Sequence, residues 1–343
     1  MRKSIPVLIT FVLFPWAPPV IADDVTVDTV LTDLNEPSSV EIRPGGAPER
    51  YEVFVADSGA RRVIKIASNA SNRPTDVITG FPTASVPGNR RPMGNPSGLL
   101  FLDEKHIVVG ISGAPPELRL YELTEAGTPL TADGAKQKVA PDLPGEKPEA
   151  IFGVFAGLAR TRSNDFVADM LLAAFRGTGV WKLPVRANML GEMSALESKP
   201  SFRPTAFLLS SPTALAISEQ GYLLAVDDGS RSIRNRFMFL NPTNGQVVLG
   251  FDPGLTDVRG VAYSPKSGNL YALAKAYGKD EEGLFRLDDA SKPGEQQITV
   301  MKVADFKQAT ALAFGPDGAV YVTTLGDKTK DDDGALLKLT GDL

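Results

Sequence analysis

Six times along the chain a small or polar stretch turns abruptly apolar, at residues 37–42, 96–101, 155–159, 212–217, 258–263 and 309–314. Aligned on Val40, Leu99, Leu158, Leu215, Val261 and Leu312, these segments recur at intervals of roughly 45–60 residues, which suits one propeller blade. They are called strand A below. After a turn rich in Gly, Pro and Asp, each gives way to a β-branched or aromatic run, strand B, at 51–56, 106–109, 170–174, 222–226, 270–274 and 320–324. Runs so short and so nearly continuous in apolarity fit strands covered on both faces, as stacked blades cover them. A polar turn then leads to an alternating strand C, at 62–66, 118–123, 180–183, 237–240, 284–287 and 336–339. Its period of two suits a position nearer the rim.

Candidates for an outer strand D follow at 76–79, 137–140, 206–209, 247–251 and 298–303. The sixth blade has none, because few residues remain after Leu339, but an alternating segment at 25–31 precedes the first strand A. Pairing that segment with the final blade closes the ring and hides two sheet edges. The expected fold is therefore all-β: a six-bladed β-propeller of four-stranded blades, its N-terminal strand closing the last blade, as a single domain over 23–343.

Residues 1–22 have the layout of a secretory signal peptide, with Arg2 and Lys3, an apolar run from Ile5 to Trp16, and the ending Val20-Ile21-Ala22. The run is near a dozen residues, whereas a spanning helix needs about 20. Cleavage after Ala22 would give a secreted or periplasmic chain, not embedded in a membrane and expected to be a monomer. The sequence holds no cysteine, so thiol catalysis, thiolate metal sites and disulfides are excluded and burial alone must hold the fold. A formal net charge of −5 offers no basic face for nucleic acid.

Several inner-blade phrases carry a resemblance. Tyr51-Glu52-Val53-Phe54-Val55-Ala56-Asp57-Ser58-Gly59, Tyr263-Ser264-Pro265-Lys266-Ser267-Gly268-Asn269-Leu270-Tyr271 and Phe314-Gly315-Pro316-Asp317-Gly318-Ala319-Val320-Tyr321-Val322 resemble the NHL-repeat and SMP-30/gluconolactonase group of six-bladed propellers. For a lactonase member, the resemblance implies one divalent cation, such as calcium, held in the channel by a Glu, an Asn and an Asp. Glu36 is the metal candidate, although it stands directly before Pro37 where the group spaces Glu and Pro by one residue. Thr213 and Arg259 occupy the places of the Asn and the Asp.

His106, the single histidine, begins the second strand B and reads as a strand-end residue near the surface. Acidic clusters at 227–228, 279–282 and 327–333 fall in turns between strands B and C, where Asp and Gly suit turn geometry. Asp57 and Asp227 directly follow strand B and can accept hydrogen bonds from their own turns. With Glu36, Asn95, Arg259 and Lys275 they form the candidate channel-mouth set. Long segments at 82–95, 124–148 and 184–204 suit binding loops, and Met189, Leu190, Met193 and Leu196 are spaced for a short helix within 187–197. Asn69-Ala70-Ser71 is a glycosylation sequon if the source is eukaryotic.

These features give two expectations for function. One is an exported NHL-like scaffold that binds a protein, peptide or glycan through its loop-bearing face, with no catalytic residue assigned. The alternative is an SMP-30-like, metal-dependent lactonase or esterase.

Overall fold

The computed structural model describes residues 25–69, 73–82, 95–113, 115–124, 127–141, 154–162, 168–176, 179–196, 209, 211–228, 235–277, 282–288, 298–326 and 332–343. Six small sheets stand in a ring and form a six-bladed propeller with four-stranded blades. Strand A lies innermost in each blade, at Pro37–Ile42, Pro96–Phe101, Val154–Thr161, Pro212–Ile217, Gly260–Tyr263 and Ala309–Phe314. Strand B, at Glu52–Asp57, His106–Ile111, Met170–Arg176, Leu223–Asp227, Leu270–Ala274 and Val320–Thr324, is buried almost end to end.

Blades are held side to side by apolar contact. Six clusters of buried side chains each join one blade to the next. Between blades 6 and 1, for example, Val40, Val53 and Val55 pack with Ala313, Tyr321 and Leu336. Each fully buried Val, Leu, Ile or Phe contributes about 1.5–3 kcal/mol, so these six seams supply the main stabilisation of a chain without disulfides.

The ring closes as the alternating N-terminal segment leads one to expect. Thr26–Leu34 pairs antiparallel with the last strand, Gly334–Thr340, from Thr26 opposite Thr340 to Leu34 opposite Gly334. Most of this strand faces water, but Leu34 is 1% exposed in the blade 6–blade 1 cluster. On the same seam the Tyr51 hydroxyl donates to Asp317 at 2.8 Å and lies 3.0 Å from the Tyr321 hydroxyl, while Lys338 pairs with Asp317 at 3.2 Å. Tyr51→Phe should lower unfolding stability by about 1 kcal/mol, the net worth of one hydrogen bond, as a shift of the urea midpoint with unchanged slope.

Four outer strands lie within two residues of their expected positions, at Thr75–Thr79, Gln137–Val139, Val247–Phe251 and Thr299–Asp305. Blade 3 differs. The expected strand at 206–209 falls outside the described residues except for Leu209, and Ser194–Ala195 pairs with Trp181 and Lys182 at the blade's outer side. The helix expected within 187–197 is not formed. Ala187 and Asn188 take φ values of 49° and 59°, and Met189 and Leu190 turn back onto Arg186 and Val185. Two consecutive left-handed residues make a tight hairpin turn, which competes with a helix start. The apolar spacing serves burial instead, because Leu190 and Met193 pack between blades 2 and 3 and Leu196 between blades 3 and 4. The one helical element among the described residues is a 3-10 turn, Ala132–Gly134, and none is long and apolar enough to cross a membrane.

Candidate functional site

Strand A does not enter its blade smoothly. In five blades the pairing with strand B slips by one residue near the start, between Pro37 and Ser39, Pro96 and Gly98, Phe155 and Gly157, Pro212 and Ala214, and Ala309 and Ala311. A bulge of this kind leaves one residue unpaired and redirects its side chain. The unpaired residues are Ser38, Ser97, Ala156, Thr213 and Thr310. Arg259 holds the matching place in blade 5, one residue ahead of Gly260, its N–H bonded to the Leu273 carbonyl at 2.9 Å. All six line a single cavity of about 970 Å³ along the channel.

Glu36, Asn95 and Asp257 line the outer rim of this cavity, two residues ahead of the bulge position in their blades. Glu36 and Asp257 adopt φ values of 49° and 47°, and such left-handed corners in non-glycine residues cost about 1–3 kcal/mol each. Further in, past an aliphatic collar that includes Val40, Leu158 and Val261, the lining contains Glu41, Arg160, Tyr263 and Phe314.

The mouth hydroxyls tie one blade to the next. Ser38 Oγ lies 2.5 Å from Ser58 Oγ, and the pair shares the Pro96 carbonyl of blade 2 as acceptor, one hydroxyl donating to the other and the second to the carbonyl. Ser97 Oγ donates to the Asn95 carbonyl at 3.0 Å and sits 3.0 Å from Ser112 Oγ, which accepts the Phe155 N–H of blade 3 at 2.9 Å. Thr310 Oγ1 donates to the Pro37 carbonyl at 2.8 Å and ties blade 6 to blade 1. Because a hydroxyl has one proton and two lone pairs, donors used in this way leave acceptor capacity for the cavity. Asn95, 8% exposed, adds a buried Oδ1 without a partner. Arg259 supplies donors, although it also bonds Asp257 at 3.0 Å, Glu282 at 3.6 Å and the Ala309 carbonyl at 3.3 Å.

Of the six residues nominated from sequence, Glu36, Asn95 and Arg259 line the cavity, whereas Asp57, Asp227 and Lys275 do not. Asp57 is fully buried and accepts the Asn35 N–H at 2.7 Å and Arg62 Nε at 2.9 Å. Burial raises its pKa, against the pull of Arg62 and the Asn35 amide. Asp227 accepts the Ser211 N–H at 2.5 Å, so both fasten the start of strand A to the end of strand B. Lys275 is exposed, its N–H bonded to the Thr256 carbonyl at 2.9 Å. His106 also stands apart from the cavity, its Nδ1 2.9 Å from Asp103. The bulged hydroxyls, Glu41 and Tyr263 were not nominated, although the position two residues before the aligned Val40, Leu99, Leu215 and Leu312 reads Ser, Ser, Thr and Thr.

The donor set does not fit the divalent site that the resemblance implies. A hard cation needs several converging anionic or carbonyl oxygens. Among the described residues no three His, Cys, Asp or Glu side chains gather at one point, and the cationic Arg259 stands where an Asp is expected.

No family model matches the sequence, and no curated protein does. Solved structures share the fold. A protein from Thermus thermophilus described as an oxidoreductase (glucose dehydrogenase) is similar at 16% identity and a TM-score of 0.60, over 92% of this chain and 100% of that one. The PQQ-bound aldose sugar dehydrogenase of Streptomyces coelicolor is similar at 16% identity and 0.57, over 94% and 99%. A protein described as a gluconolactonase is similar at 14% identity and a TM-score of 0.53, over 94% of this chain and 93% of that one.

Proposed function

We propose that this protein takes a small carbohydrate-derived molecule, a sugar or a sugar lactone, into the polar mouth of its channel. The observation that carries this reading is the ring of bulged positions, where Ser38, Ser97, Thr213 and Thr310 meet Arg259 around one cavity. With their protons engaged on protein acceptors, the hydroxyls join Glu36 and the unpartnered Asn95 Oδ1 in an acceptor-rich rim. A molecule dense in O–H donors matches that rim, and Arg259 can donate to a ring or carbonyl oxygen. A concave mouth of short side chains suits a small molecule better than a protein surface.

The names of the three solved neighbours support the same ligand class. They also favour catalysis over a docking scaffold, and with it the SMP-30-like alternative of lactone hydrolysis, without the cation site of that group. Export through the leader at 1–22 would place the activity in the periplasm or outside the cell. The test is calorimetric titration with glucose and with glucono-δ-lactone, alongside proton release from the lactone. Asn95→Ala should weaken binding about tenfold, as expected for one hydrogen bond to a buried acceptor. A folded wild type that binds neither ligand at millimolar concentration overturns the proposal.

A further inference from the structure

Deeper in the channel one blade breaks the pattern of the other five. The residue after the aligned Val40 is Glu41, and its counterparts are Leu100, Ala159, Ala216, Ala262 and Ala313. The fold therefore asks for an aliphatic side chain here and receives a carboxyl. Such a local violation marks function when no structural partner repays it.

No side-chain partner appears among the described residues. Glu41 forms no ion pair and no side-chain bond to another side chain. On the elements packed against its strand, Glu52 is held by Arg43 and Lys65, and Asp57 by Arg62. Tyr321 is bonded to Tyr51, and neither Pro96–Phe101 nor Ala309–Phe314 contains a charged residue. The other charged groups of the cavity leave a negative balance. Arg160 is held by Asp169 and Arg259 by Asp257 and Glu282, so both cations are engaged while Glu36 and Glu41 are not. Across the lining stand the rings of Tyr263 and Phe314, and the Tyr263 hydroxyl is buried without a hydrogen-bond partner.

From this arrangement we infer that the inner channel is a binding site for a primary organic ammonium group, held by the Glu41 carboxylate beside the aromatic walls of Tyr263 and Phe314. An ammonium has three donors and no acceptor, which matches an uncompensated carboxylate, and aromatic faces attract cations. Three residues along a strand place this site about 10 Å from the mouth hydroxyls, so it does not depend on what the mouth holds.

Proton balance sharpens the test. Although Glu41 keeps some surface open to the channel, the surrounding protein desolvates its carboxyl and raises its pKa from 4.5 to about 8, against a smaller pull from the Ile42 amide. At pH 7 the group is protonated, so binding a cation must release its proton to buffer. An alkylammonium, like a lysine side chain, stays charged at pH 9. The experiment is calorimetric titration of the full chain with ethylammonium chloride at pH 7 and pH 9, in buffers of differing ionisation heat. Sodium and tetramethylammonium at matched ionic strength serve as comparisons. Expected is saturable one-to-one binding, about tenfold tighter at pH 9 than at pH 7, with close to one proton released at pH 7. Glu41→Gln, checked for native near-UV dichroism, should lose both the binding and its pH dependence. Tyr263→Ala, which removes the aromatic wall, should weaken binding several-fold and keep the pH dependence. Absence of saturable binding to wild type, binding unchanged in Glu41→Gln, or equal binding of sodium overturns the inference.

Discussion

Deleting residues 25–34 is expected to leave a chain that does not fold to a monomer. The deletion removes every partner of the Gly334–Thr340 strand on its outer side, from Thr26 to Leu34, and uncovers a sheet edge in blade 6. Loss of the Leu34 side chain alone costs about 2–3 kcal/mol, and each ladder hydrogen bond adds about 0.5–1.5. The sum is comparable to the whole stability of an ordinary domain, about 5–15 kcal/mol. The exposed edge also offers a template for association. Size-exclusion chromatography should show aggregate or an expanded species. A compact monomer with a cooperative melt would refute this account of closure, and a peptide of residues 25–34 supplied in trans should recover part of the native dichroism.

A second large effect is expected at Gly98. The Phe155 ring of blade 3 lies directly over two glycines of blade 2, Gly98 and Gly110, so closely that a Cβ at either would overlap its atoms. The ring is 8% exposed and stands edge-on to Phe175 at 5.6 Å. Gly98→Val must therefore evict Phe155 or force blades 2 and 3 apart, and should cost more than about 3 kcal/mol, in the range of losing a buried aromatic. The double variant Gly98→Ala with Phe155→Ala should be less damaging than the sum of the two single changes, because removing the ring relieves the clash of the new Cβ, which in turn fills part of the void the ring leaves. Urea unfolding of the four proteins measures the coupling, and simple additivity would show that the contact does not set the blade spacing.

The ring is legible in the sequence because it is written in periodicity. Strand B repeats as an apolar run in every blade, and the lone alternating segment ahead of the first strand A supplies the missing outer strand. Local exceptions are not legible. At 187–197 the apolar spacing suits a helix as well as a hairpin, and only the left-handed turn at Ala187 and Asn188 decides between them. At the channel, acids after strand B draw notice, yet Asp57 and Asp227 fasten turns. Carboxylates are conspicuous in a sequence, whereas a serine redirected by a bulge is not, because the register slip that aims it belongs to the pairing of two strands. Glu41 is hidden differently. It stands out only when its five aliphatic counterparts are read together with the absence, among the described residues, of any cation paired with it.

Closure by the first and last strands makes this a protein that cannot be finished early. Thr26 and Thr340 meet across roughly 300 positions of chain, and bringing such distant ends together costs about 5 kcal/mol of loop entropy before any contact repays it. In blades 1 to 5 the four main strands follow one another along the chain, with Leu130–Thr131 crossing from blade 2 to pair beside Thr75–Thr79 of blade 1, so these blades can assemble in order, but the toroid stays open until the final segment arrives. Long-range pairing of this kind is intrinsically slow, and an unclosed ring carries two bare edges while it waits. The same seam that completes the molecule is therefore its least protected point, both during synthesis and whenever the native ring breathes.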